Sequence, residues 1–81
     1  MIIKILGSGC SKCKVMYTQV NKVLKELNIT DVEVLKIENI EEIAKYNIMN
    51  TPALVIDESI KITGRIGSTK EITKFIQDSY N

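Results

Sequence analysis

A short apolar run, Ile2 to Leu6, passes through Gly7-Ser8-Gly9 into a long amphipathic segment, and a second apolar run follows it. In the middle segment Met16, Val20, Val23, Leu24 and Leu27 recur at i, i+4, i+7, i+8 and i+11, one stripe of a helix expected from about Ser11 to Asn28. Lys14, Lys22, Lys25 and Glu26 take the opposite, wet side. After the Asn28-Ile29-Thr30-Asp31 break, Val32, Val34, Leu35 and Ile37 read as a second strand. A strand, a helix and a strand in succession imply a right-handed crossover between parallel neighbours. This stretch alone therefore points to an α/β architecture.

The remainder completes the pattern. Asn39 with Glu42 three residues on resembles a capping arrangement and predicts a short helix that buries Ile40, Ile43 and Ala44 and ends near Asn47. Ala53 to Ile56 and Ile60 to Ile62 read as brief strands joined by the polar Asp57-Glu58-Ser59, short enough for an antiparallel hairpin. Ser68 with Glu71 forms a capping box ahead of Ile72, Phe75 and Ile76, the inner face of a last helix. The element order is βαβαββα. No repeat, low-complexity tract or linker interrupts it, so one domain is expected over residues 1–81.

Cys10-Ser11-Lys12-Cys13 stands at the junction of the first strand and first helix. Cysteines three apart across the opening turn of a helix lie one above the other and can meet. The first is expected to face the unpaired N–H groups and positive dipole end of the helix, which favour thiolate over thiol. A free thiol with a pKa of about 8.5 is only about 3% ionised at pH 7, whereas CxxC sites lower the value to roughly 3.5–7.5. A structural disulfide here closes so small a loop that chain entropy returns only about 2 kcal/mol. Inert core thiols fit poorly beside Gly7-Ser8-Gly9 and Ser11-Lys12, which are loop and surface residue types. A soft-metal site stays open, since a thiolate pair is half of one.

Composition narrows the classes further. Eighty-one residues with 44% hydrophobic content suffice for one small core, and a net charge of +1 gives no electrostatic case for nucleic acid or a membrane surface. With neither an apolar run of about 18 residues nor a charged leader, no membrane association is expected. The expected compartment is the reducing cytoplasm, where a CxxC pair is more often catalytic or metal-binding than structural. The chain has no histidine, the usual proton shuttle and the usual partner ligand for zinc.

The layout, the position of Cys10 and Cys13, and Thr51-Pro52 just before the third strand together resemble the thioredoxin fold in its minimal, glutaredoxin-sized form. The opening Gly7-Ser8-Gly9-Cys10-Ser11-Lys12-Cys13 looks most like small thioredoxin-like proteins often labelled redox-active disulfide protein 2. The resemblance covers nearly the whole chain. It implies an α/β fold with a four-stranded mixed sheet in order 2-1-3-4, flanked by the first and third helices on one side and the second on the other. It also implies that Pro52 is cis and faces the cysteines, with Thr51 offering backbone N–H and C=O to an extended substrate segment. Gly64 matches a family glycine after the fourth strand, where it permits a tight turn.

The activity so implied is thiol-disulfide exchange with a disulfide-containing protein. Cys10 attacks as thiolate, Cys13 resolves the mixed disulfide, and a thioredoxin-reductase-like enzyme or a low-molecular-weight thiol regenerates the dithiol. Lys12 and Lys14 are candidates for stabilising the thiolate, or are ordinary solvated charges. No cofactor beyond the Cys10-Cys13 pair and no resident metal is expected, and the protein is expected to act as a monomer, in a prokaryote. Two departures stand out. Lys4 occupies the position of the buried aspartate of thioredoxins, six before the first cysteine, and Gly64-Arg65-Ile66-Gly67-Ser68 replaces the glutathione-gripping cluster of glutaredoxins. Arg65 remains a possible partner for a carboxylate. The competing readings are a metal-handling module, with copper chaperones excluded by their βαββαβ order, and a redox sensor that uses the same two thiols.

Overall fold

The computed structural model describes residues 1–7 and 11–80. Seven elements follow in the expected order: β1 (Ile2–Leu6), α1 (Ser11–Glu26), β2 (Glu33–Ile37), α2 (Ile40–Ala44), β3 (Ala53–Ile56), β4 (Ser59–Thr63) and α3 (Thr69–Tyr80). The four strands form one sheet in the order β2-β1-β3-β4. β1 runs parallel to β2 and antiparallel to β3, and β3 pairs antiparallel with β4.

Side-chain alternation along β1 and β3 divides the interior in two. Ile3, Ile5, Leu54 and Ile56 point to the face covered by α1 and α3, where they pack with Met16, Val20, Val23, Leu24, Ile62, Ile72 and Ile76. Leu6, Ala53 and Val55 point to the face covered by α2 and the chain after it, meeting Ile37, Ile43, Tyr46 and Ile48. The first and third helices thus share one side of the sheet and the second takes the other.

Local signals set the element ends, with adjustments. α1 stops at Glu26, two residues before the expected Asn28, because Asn28 adopts a left-handed φ of 57°. There the Ile29 N–H donates to Leu24 O at 2.9 Å and the Asn28 N–H to Lys25 O at 3.2 Å, the paired bonds of a Schellman stop. Asn39 caps α2 as expected, its side chain accepting from the N–H groups of Glu41 and Glu42. The expected buried stripe of α2 is a correction: none of its residues is buried, and Ile40 is 73% exposed. A five-residue helix makes little more than one turn, too short to present a full apolar face, so Ile43 alone of the expected stripe packs half-buried there, and Tyr46 and Ile48 beyond the helix add to the covering. The β3–β4 hairpin closes through Asp57 and Glu58, both at positive φ, a tighter turn than the three-residue connection expected. A register shift between Leu54 and Val55 then turns Ile60 away from the face of Ile62. Ser68 and Glu71 make the reciprocal capping box, with Glu71 N–H to Ser68 Oγ at 3.1 Å and Ser68 N–H to Glu71 Oε1 at 3.2 Å.

Candidate functional site

β1 delivers the chain to Gly7, whose N–H donates to Ile37 O at 2.9 Å and so extends the parallel ladder one residue past the strand. The first turn of α1 then folds Cys13 back over that glycine. A Cβ built on Gly7 would overlap Cys13 Sγ and stand 3.6 Å from Thr51 Cβ. Cys13 Sγ and Thr51 thus both lie against Gly7, and the closeness of the sulfur is what only a residue without a side chain allows. Gly7 was legible beforehand only as part of a loop. Its signal is position, a glycine directly between a strand and a cysteine motif.

Cys13 is buried at 4% exposure on the inner face of α1. Cys10 lies outside the described residues. The Thr51–Pro52 bond is cis, Thr51 is exposed and Pro52 is buried. Pro52 directly precedes β3, whose first residue Ala53 pairs with Leu6 at the end of β1, and this register carries Thr51 to the cysteine end of the sheet. Lys12 and Lys14 are exposed on α1, and among the described residues neither makes an ion pair. The structure thus brings Cys13, Thr51 and Pro52 together and leaves the two lysines on the solvated side of the helix. Tyr17, one turn beyond Cys13, packs partly buried against the larger core, with Lys36 Nζ 5.1 Å from its ring centre.

Lys4 is engaged elsewhere. Its Nζ donates to Glu58 Oε1 at 2.6 Å and to Tyr46 OH at 2.8 Å on the α2 face, beside the hairpin turn. Glu58 and, next, Tyr46 raise the Lys4 pKa above the usual lysine range, and Lys4 in turn lowers that of Glu58. This ammonium is held charged and is no substitute for a carboxylate base. An open cleft of about 610 Å³ lies over the same groups, lined also by Ile37 and Ile60, with Glu42 and Lys45 at the α2 wall.

On the other flank, Gly64 N–H donates to Pro52 O at 3.0 Å. Gly64 has φ 76°, and a Cβ there would press to 3.0 Å from Asn50 Cβ. Next to it, Arg65 does pair with a carboxylate, but one from its own chain: Nη1 and Nη2 donate to Glu71 Oε1 and Oε2, each at 2.8 Å. Arg65 first, and then the Ser68 N–H, lower the Glu71 pKa to about 2.

A thioredoxin domain family model matches residues 1–77. The chain is 39% identical over 72 residues to a thioredoxin of Methanocaldococcus jannaschii, covering 89% of this chain and 81% of that one. It is 36% identical over 76 residues to a thioredoxin of Methanothermobacter thermautotrophicus, covering 94% and 97%. Among solved structures, thioredoxin 1 of Thermosipho africanus superposes with a TM-score of 0.61 at 26% identity over the full length of both chains. A malarial protein superposes with a TM-score of 0.68 at 16% identity, covering 99% and 97%, a likeness of fold alone. A sheet ordered β2-β1-β3-β4, a cis-proline directly before β3 and these relatives lead to one conclusion: the chain belongs to the thioredoxin family.

Proposed function

We propose that this protein is a thiol-disulfide oxidoreductase that reduces disulfides of partner proteins through Cys10 and Cys13. The oxidoreductase class goes with the thioredoxin family, and the observation that carries the finer reading is that Cys13 Sγ and Thr51 both flank Gly7, with Thr51 directly before cis Pro52. An exposed Thr51 leaves its backbone within reach of an extended partner segment, while burial of Cys13 suits a resolving thiol rather than an attacking one.

In the proposed cycle the Cys10 thiolate attacks one sulfur of the partner disulfide. A Cys10–partner bond forms and the other partner sulfur leaves as thiolate. Cys13 loses its proton and attacks Cys10 Sγ, expelling the second partner sulfur. Two electrons pass to the partner, whose two thiolates take up protons from solvent, and a Cys10–Cys13 bridge remains for an external dithiol or thiol reductant to open. Lys4, held protonated by Glu58 and Tyr46, offers no base, so the Cys13 proton goes to solvent.

The test is a redox titration of metal-free protein in graded dithiol and disulfide buffers, with free thiols alkylated and counted by mass spectrometry. A monomeric transition from two thiols to none, with a midpoint between about −270 and −120 mV, is the expected result. Thiols that stay free throughout, or that pair only between molecules, overturn the mechanism and transfer attention to soft-metal binding by the same two residues.

A further inference from the structure

The segment that follows β4 is fastened at both ends. At one end Gly64 N–H holds Pro52 O at 3.0 Å, and Gly64 packs so closely on Asn50 that a Cβ would come within 3.0 Å of the Asn50 Cβ. At the other end Arg65 grips Glu71 through two parallel bonds of 2.8 Å, and Glu71 also accepts from the Ser68 N–H in the capping box of α3. Between them the turn presses on the core, since a Cβ on Gly67 would stand 2.6 Å from Ile62 Cδ1. Arg65 is the chain's single arginine. A planar guanidinium held by both carboxylate oxygens fixes direction as well as distance, which a flexible lysine does not.

We infer that the Arg65–Glu71 pair positions the Asn50–Pro52 loop for partner binding, so that Arg65 and Glu71 are positioning residues for recognition of protein disulfides. The inference rests on the oxidoreductase reading above. Gly64, adjacent to Arg65, is what the Pro52 carbonyl holds, and Pro52 follows Thr51, the residue that pairs with an extended partner. Loosening the clamp lets residue 64 shift, and the edge offered by Thr51 shifts with it. Exchange at the sulfurs does not depend on that edge. A small disulfide with no backbone to pair is therefore insensitive to the clamp, whereas a protein disulfide is sensitive to it.

The experiment compares wild type, R65Q, E71Q, R65K and the charge-swapped R65E/E71R on insulin and on 2-hydroxyethyl disulfide, with the Cys10–Cys13 potential measured for each. In R65Q and E71Q the KM for insulin is expected to rise about three- to tenfold with kcat within twofold. Turnover of 2-hydroxyethyl disulfide and the redox potential stay unchanged. The swapped double variant restores the insulin KM only in part, because an arginine side chain at position 71 re-forms the pair but cannot accept from the Ser68 N–H, and R65K restores it only in part because an ammonium cannot make both parallel bonds. An unchanged insulin KM in R65Q and E71Q overturns the inference, as does an equal loss on both substrates, which marks a general structural role. A wild-type protein that reduces neither disulfide removes the oxidoreductase reading and this inference with it, a result separable from the other two because it needs no variant.

Discussion

The two faces of the sheet are built to different standards. Toward α1 and α3, eleven buried side chains form one cluster among the described residues; toward α2 there are three. At about 1.5–3 kcal/mol for each fully buried aliphatic side chain, the α1/α3 face supplies most of the hydrophobic stabilisation. The α2 face carries an ammonium in its midst, Lys4, where alternation along β1 would accept an apolar residue as readily as Leu6. A long aliphatic stem lets Lys4 cover the sheet while its charged end reaches Glu58 and Tyr46. The lesson is a division of labour. The thick face anchors the helix that carries Cys13, and the thin face carries the open cleft.

The sharpest way to break this comparison is to make the same cut on both faces. Leu54 and Leu6 are each 0% exposed, on the thick and thin faces respectively. Leu54→Ala is expected near the upper end of the 2–5 kcal/mol range for such truncations, because two helices hold its surroundings open. Leu6→Ala is expected near the lower end, where a lightly covered site collapses more easily. Urea unfolding measures both, and equal losses would falsify the asymmetry.

Gly7→Ala tests the point where the thick face meets the site. The new methyl group overlaps Cys13 Sγ, so the cost is expected at about 1–3 kcal/mol by urea unfolding, together with slower resolution of a mixed disulfide in stopped-flow. A variant of native stability and rate means that the approach of Cys13 to Gly7 has no consequence for either property.

Two smaller effects sharpen the contrast. The Glu71 carboxyl titrates at about 2 instead of its ordinary 4.5, so the Arg65 clamp contributes stability that is fully present above about pH 4.5 and fades as pH falls toward 2. The gap in thermal midpoint between wild type and E71Q should therefore be constant from pH 5 to 8 and close below pH 4. A gap that persists at pH 2 points to packing rather than charge. Smallest of all, Ile40→Ser on α2 is expected within about 0.5 kcal/mol of wild type, since that side chain is 73% exposed. A loss above 1 kcal/mol in urea unfolding shows that the thin face is covered in solution by something that also covers Ile40.

Much of the fold and part of the site were legible in the chain. The period of Met16, Val20, Val23 and Leu24 announced the buried face of α1, and the Asn39 and Ser68 caps marked helix starts to within a residue. These signals are local, because caps and amphipathic stripes depend on neighbours within a turn or two. The cysteine motif and Thr51-Pro52 were equally visible as residues, though their proximity was expected only through resemblance to a family.

Tertiary structure decided whatever depended on partners far along the chain. Apolar Ile40, Ile43 and Ala44 suggested a buried stripe, yet a single turn lying over a three-residue cluster packs only Ile43 against it, half-buried, and leaves Ile40 and Ala44 exposed. That Gly7 must lack a side chain follows from where α1 drops Cys13, and the partners of Lys4 follow from where the hairpin turn brings Glu58, 54 positions away. Arg65 had an open choice of carboxylates until the first turn of α3 brought Glu71 against it. Backbone periodicity and capping are written in short-range sterics and hydrogen bonds, whereas which charges meet and which atoms collide is settled only when the strands take their order β2-β1-β3-β4.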